Sequence, residues 1–325
     1  MIFNFGLIFL VFTRTSKTFR SYAVLIMSVA IHELIVAITA EYTVERIIPI
    51  ADALTIEFHG ICGYLSASSC VTAHGIFMYS TSYVYSCFPF FFWFRYRVLH
   101  CPPKKPWRIF FLCLIIVIPA WITSTLLITH ATPEKEIRAI WHAANYTNSL
   151  ADPSIRAGGF KSVWDPSILP MTLWVTMPVF PCYAVSIYYR QCFLRDIQKS
   201  AQCARTKWAQ QKIVQSLTIQ SLLPLFPMTM AATYNYRQFQ LPYYEHVPYF
   251  DEWPILSVTI ISAFNPLLTI FYVQPYRNAI TKIFPGFLRR RSRRPGIARI
   301  STYTLRSRLR SPSIGPASFG NKSFY

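Results

Sequence analysis

Acidic side chains are scarce in this sequence. The 325-residue chain carries 13 Asp and Glu against 32 Lys and Arg, a formal charge of +19. Catalytic signatures are missing too. There is no GxSxG, HExxH, CxxC or phosphate-binding glycine loop, so no hydrolase, metalloprotease, dithiol or nucleotide-binding reading has a motif to stand on. No catalytic residue, metal ligand or cofactor is expected. No internal repeat is visible, and with it go the two matching halves expected of many transporters. The opening "MIFNFGLIFLVF" lacks a small-residue cleavage site and does not read as a signal peptide. What is abundant is apolar: 53% of residues are hydrophobic and 17% aromatic. A soluble chain this basic would point to nucleic acid, but one this apolar would be hard to keep dissolved. The two facts agree when charge is segregated from long apolar runs, as in an integral membrane protein.

They are segregated. Residues 109–129, 169–189, 213–236 and 253–276 contain no Asp, Glu, Lys or Arg, and about 20 residues suffice to cross a hydrocarbon core of roughly 30 Å. Residues 21–40 are apolar but for His32 and Glu33, the only acid inside an expected span. Residues 58–94 form an uncharged run of 37, read as one tilted helix from about 62 to 92. The N-terminal stretch has only 12 apolar residues before its first basic loop, about 18 Å of helix. It reads as half a span, and the chain is expected to lack the outer half of its first helix through truncation or a faulty gene model. The expected fold is an all-α membrane protein: a seven-transmembrane helical bundle over residues 1–276, its first helix truncated. Residues 277–325 are an amphipathic segment and a disordered basic cytoplasmic tail. Within that segment Ile280, Ile283, Phe284, Phe287 and Leu288 recur at helical spacing, as in a helix lying on the inner leaflet. The Arg-rich tail points to anionic lipid rather than to a nucleic-acid partner.

Charge sets the orientation. Segments 13–20, 94–108, 190–212 and 275–325 hold 26 of the 32 Lys and Arg. The alternate segments 41–61, 130–168 and 235–253 hold the other 6 and 11 of the 13 acids. The positive-inside rule places the first set, and the C-terminus, in the cytoplasm. A second span within 58–94 would destroy this alternation. The sequon at Asn145 then falls outside, where glycosylation can reach it, and the one at Asn321 inside. Of the eight cysteines only Cys62 falls near the outer face, and the outer loop 130–168 has none, so no external disulfide is expected.

Within the spans, polar residues are candidates for function. Glu33 is the costliest, since an acid near mid-bilayer costs roughly 2.5–3.5 kcal/mol and normally faces the bundle interior. It is either an activation switch or a structural carboxyl bonded to a nearby Ser, Thr or Asn. Pro224 and Pro227 kink the sixth span. In the last span Asn265-Pro266 interrupts an apolar run that continues to Tyr272 and exits at Pro275-Tyr276-Arg277; Asn265 is expected to reach neighbouring helices, with Glu33 a candidate partner. Ser69 and His74, in the outer half of the helix at 62–92, are the candidate ligand contacts. Packing is the alternative for that helix's many hydroxyls.

The motifs "FRYRVLHCPPKKP" (94–106), "SLTIQSLLPLFP" (216–227), "NPLLTIFYVQPYRNAI" (265–280), "RIIP" (46–49) and "HGICGY" (59–64) resemble the nematode serpentine chemoreceptors, most of all serpentine receptor class delta. The resemblance spans about residues 13–285. It implies a G-protein-coupled receptor for environmental chemicals, in the plasma or ciliary membrane of sensory neurons. A small-molecule ligand would bind in the outer half of the bundle, and a heterotrimeric G protein would meet Arg95, Tyr96 and Arg97 at the inner end of the third helix. Phe94 stands where many rhodopsin-like receptors carry an acid before this arginine. The rival readings are a transporter or ligand-gated channel, and a nonfunctional truncated receptor.

Overall fold

The computed structural model describes residues 1–283 except 16–18, 102–104, 147–151, 153–154, 177–178, 200–203, 224, 227–228, 230–235 and 237–252. The first helix, α1 (Ile2–Arg14), has 13 residues, about 20 Å at 1.5 Å per residue and short of the hydrocarbon thickness. It is followed by α2 (Arg20–Thr43), α3 (Ala67–His100) and α4 (Pro106–Thr129). Later come α5 (Glu134–Ala143), α6 (Leu169–Thr176), α7 (Val179–Lys199) and α8 (Ala204–Leu222). The last two are α9 (Trp253–Tyr272) and α10 (Gln274–Ile283). By length and composition α2, α4 and most of α9 are apolar enough to cross a membrane. α3 is the central element. Its buried residues run from Cys70 to Arg95, and it packs on α2, α4, α7 and α8. By contrast α4 turns Trp107, Phe111, Ile115, Ile118 and Trp121 outward, a face suited to lipid.

Three strands, β1 (Glu45–Ile50), β2 (Ala53–Phe58) and β3 (Arg156–Phe160), form an antiparallel sheet in that order. The all-helical expectation had no place for it. Ile50 pairs with Ala53, leaving Ala51 and Asp52 as a two-residue turn, with Ala51 at φ 48° as tight hairpin turns require. β3 closes against β2 at Gly158 and Gly159. Gly159 has φ 132°, where a Cβ would also strike the Leu54 carbonyl. The sheet lies across one end of the bundle. Ile47 packs with Val36, Phe77 and Ile255, and Phe160 with Leu127 and Ile168. From another side α5 covers it through Ile137 and Trp141, which meet Ile50 and Ala157.

Two expectations are corrected here. The third helix does not begin at residue 62: Ile61–Tyr64 is a separate 3-10 turn, and α3 starts at Ala67 with Ser66 as its cap, the Ser66 hydroxyl accepting from the Ser69 N–H at 3.1 Å. It also runs on to His100 rather than 92. And a disulfide is present, joining Cys62 to Cys70 with Cα atoms 5.1 Å apart. Cys70 sits in the first turn of α3, close enough to meet Cys62 once the chain folds back through the 3-10 turn.

The compact unit runs Met1–Ile283, so α10 belongs with the helices. It turns Tyr276 and Ala279 into the bundle. Residues 284–325, with most of the basic tail, lie outside the described residues.

Candidate functional site

The site is built around the proline in α9. Proline has no N–H, so Pro266 cannot bond the carbonyl four residues earlier, that of Ser262. In lipid such a carbonyl must find a partner within the protein. It does: Asn4 Nδ2 of α1 donates to the Ser262 carbonyl at 3.0 Å, with Asn4 fully buried. One residue from the kink, Asn265 Nδ2 donates to Glu33 Oε1 at 2.6 Å, the partnership expected from the sequence. Gln220 of α8 completes the arrangement. Its Nε2 donates to the Asn265 carbonyl at 3.1 Å and to Thr269 Oγ1 at 2.8 Å. Four helices therefore converge on the bend through side-chain amides, a carboxyl and a hydroxyl. Interhelical hydrogen bonds in membranes contribute about 0.6 kcal/mol each on average and up to about 1.7.

Beside these groups lies a cavity of about 30 Å³, lined by Glu33, Gln220, Asn265 and Thr269 on its polar side and by Leu7, Tyr22, Phe88 and Phe91 among its apolar residues. At roughly 10–15 Å³ per molecule it has room for about two waters. Asn265 Oδ1 and Asn4 Oδ1 are buried with no partner among the described residues, so hydrogen-bond acceptors are left over. Such a polar, incompletely paired centre is a place where two helical arrangements can be close in energy.

His32, next in sequence to Glu33, faces α3 instead. Its Nδ1 lies 2.7 Å from the Ser28 carbonyl and its Nε2 3.0 Å from Tyr79 Oη. The carbonyl can only accept, so Nδ1 carries the proton and Tyr79 donates to Nε2. Its ring stacks on Tyr83 at 3.8 Å between centroids. His32 and Glu33 thus serve different helices.

The candidate ligand contacts lie at the sheet-bearing end and are engaged with protein groups. Ser69 Oγ is 2.8 Å from Tyr42 Oη. His74 is buried, its Nδ1 2.7 Å from Glu45 Oε2 of β1, between Phe58 and Phe77. Glu45 was not singled out in the sequence; a hairpin reading of residues 45–58 would have been needed to bring it over α3.

At the opposite end, Arg95 is 5% exposed, its guanidinium carbon 3.5 Å from the Tyr22 ring centroid. Tyr96 packs on His100 and Tyr189, and Arg97 lies over Trp93. His100 Nε2 is 2.9 Å from Asp196 Oδ2 of α7. Nearby Tyr276 is buried with its hydroxyl 3.3 Å from Thr15 Oγ1, and burial pushes its phenol up to about 12, against the opposing pull of the Thr15 hydrogen bond. Tyr272 is half-buried at the end of α9. Asn145 is exposed just past α5 with φ 54°. Pro224 and Pro227 lie outside the described residues.

Membrane-length helices packed around α3, a sheet across one end and a short amphipathic helix after the last span are the architecture of a seven-transmembrane helical bundle. The fold is similar to the crystal structure of squid rhodopsin, with TM-score 0.53 and 14% identity, covering 87% of this chain and 76% of that one. The family follows from sequence. The model for the serpentine type 7TM GPCR chemoreceptor Srd matches residues 1–282, and the chain belongs to that family, as its motifs implied. Among its relatives in Caenorhabditis elegans, serpentine receptor class delta-3 is 23% identical over 291 residues, covering 87% of this chain and 84% of the relative. Serpentine receptor class delta-1 is 26% identical over 298 residues, covering 87% and 77%. The protein is accordingly a multi-pass membrane protein of a chemoreceptor family.

Proposed function

We propose that this chain is a chemosensory receptor that binds a small environmental molecule in the outer half of the bundle and signals through a heterotrimeric G protein. The observation that carries the reading is the amide–carboxyl centre at the α9 kink, where Glu33, Asn265, Gln220 and Thr269 share a small polar cavity. A centre held by a few short hydrogen bonds beside a proline bend can repack at low cost, and a bend in α9 moves its far end. In this reading Glu33, Asn265, Pro266 and Tyr272, together with Pro224, form the activation switch. Ser69 and His74 contribute to ligand recognition at the sheet-bearing end, taken as the outer one, and Arg95, Tyr96 and Arg97 contact the G protein. The protein works in the plasma or ciliary membrane of sensory neurons, its C-terminus in the cytoplasm.

The test is a panel of volatile and water-soluble chemicals applied to cells expressing the chain with a G-protein reporter. The expected result is a dose-dependent response to some member of the panel. Asn265→Leu should reach the surface at wild-type levels and respond at least several-fold more weakly. Full signalling by that variant would reduce the Asn265–Glu33 pair to packing. Ligand-evoked currents that persist with G-protein signalling blocked would sink the receptor reading in favour of a channel.

A further inference from the structure

Arg95 poses a problem of charge. It is a cation with 5% exposure, and its Nε and Nη2 have no hydrogen-bond partner among the described residues. A buried charge is normally paired, and the residue before it, which could have supplied an acid, is Phe94. The one acid of the basic segments 94–108 and 190–212 is Asp196, and His100 occupies it. What Arg95 has instead is rings. The guanidinium carbon lies 3.5 Å from the Tyr22 centroid and 5.4 Å from that of Phe19, both within cation–π range.

Tyr22 is held in place from several sides. Phe94 stacks on it with centroids 5.8 Å apart, Phe91 meets it edge-on at 5.8 Å, and Phe19 does so at 5.0 Å. Phe19 in turn packs on Tyr276. Tyr22 also lines the cavity that holds Glu33 and Asn265. Tyr22 therefore borders the cavity that reaches the polar centre at the α9 kink and also holds the cation at the inner end of α3.

We propose that Tyr22, with Phe19 beside it, is the positioning residue for Arg95: a cation–π latch that keeps the guanidinium inside the bundle until repacking of the Glu33–Asn265 cavity moves the ring away. The inference rests on the receptor reading above and adds its regulation. Freed, the guanidinium presents its fork of N–H donors to the cytoplasmic partner.

The experiment places phenylalanine and then mono-, di- and trifluorophenylalanine at position 22 of the full chain. Fluorine withdraws charge from the ring face and leaves its shape almost unchanged, so a ring that only fills space is insensitive to the series. Tyr22→Phe keeps the ring and should match wild type. Ligand-independent reporter output at matched surface level should rise with each fluorine, to about 2- to 30-fold in total, the range a cation–π contact supplies. The purified variants should melt at stepwise lower temperatures in the Arg95 background but not with Arg95→Met. A flat melting series, or equal slopes with and without Arg95, overturns the latch. Should no variant, wild type included, drive the reporter with any ligand, the G-protein reading falls, and the melting series alone decides the latch.

Discussion

Asn4 turns a defect in α9 into a contact between helices. Pro266 strips the Ser262 carbonyl of its helical partner, and the Asn4 amide supplies a replacement from α1 at 3.0 Å. Asn4→Leu should therefore destabilise the solubilised protein by about 1 kcal/mol, within the roughly 0.6–1.7 kcal/mol of interhelical bonds in membranes. In a Pro266→Ala background the same change should cost far less, because an alanine at that position brings back an N–H for the Ser262 carbonyl. Thermal unfolding of the four proteins checks this, and additive costs would show that the Asn4 amide matters for some other reason. The Asn265–Glu33 bond was legible in the sequence because Glu33 is the only acid in an expected span and Asn265 adjoins a helix breaker. Asn4 and Gln220 were not. A single amide in an apolar or mixed helix does not say which neighbour it faces, and rotation of a helix by tens of degrees changes the answer. Arg95 was legible as a residue near the end of the third helix but not as a buried one, since burial here comes from rings outside that helix.

The hairpin β1–β2 is the element the sequence hid best. Strands are recognised by alternation of buried apolar and exposed polar residues, but here the bundle covers one part of the sheet and α5 another, so residues of both faces are buried, polar ones included. Ile47, Ile48 and Ile56 are all buried, and so are Thr55 and Glu57. The uncharged run 58–94 masked the break before α3 in the same way, since neither "GICGY" nor the turn that follows carries a charge. The membrane helices themselves were easy to find because an apolar run of membrane length has few other uses. The disulfide follows from the hairpin. With a sequence separation of 8, closing so short a loop removes about 2–3 kcal/mol of unfolded-state freedom by the chain-entropy estimate. Cys62→Ser and Cys70→Ser should each lower the melting temperature, and the double variant should fall no further than either single one. Peptide mapping without reductant should recover residues 62 and 70 in one cross-linked fragment; separate fragments would show that the bond does not form.

Over the whole molecule, charge and architecture sort to the same ends. Arg95, Arg97 and His100 close α3 at the end away from the sheet, and Arg277 and Lys282 sit on α10 after the last span. Glu45, Glu57 and Glu134 belong to the sheet and the helix that covers it. In the orientation proposed above, which follows the positive-inside rule, the first end faces the cytoplasm and the sheet, the disulfide and Asn145 face outside. These three assignments stand or fall together, and sugar tests them independently of signalling. Asn145 is exposed with φ 54° just after α5, a surface turn open to a bulky modification. Expressed in animal cells, the chain should carry one N-linked sugar, lost on Asn145→Gln and kept on Asn321→Gln, with glycosidase treatment collapsing the wild-type band onto that of Asn145→Gln. A tag at the C-terminus should bind antibody only after permeabilisation. Sugar on Asn321, or a tag reached on intact cells, would turn the bundle over in the membrane. The basic ends of α3 and α10 would then face away from any G protein, and Arg95 would have no cytoplasmic partner to meet.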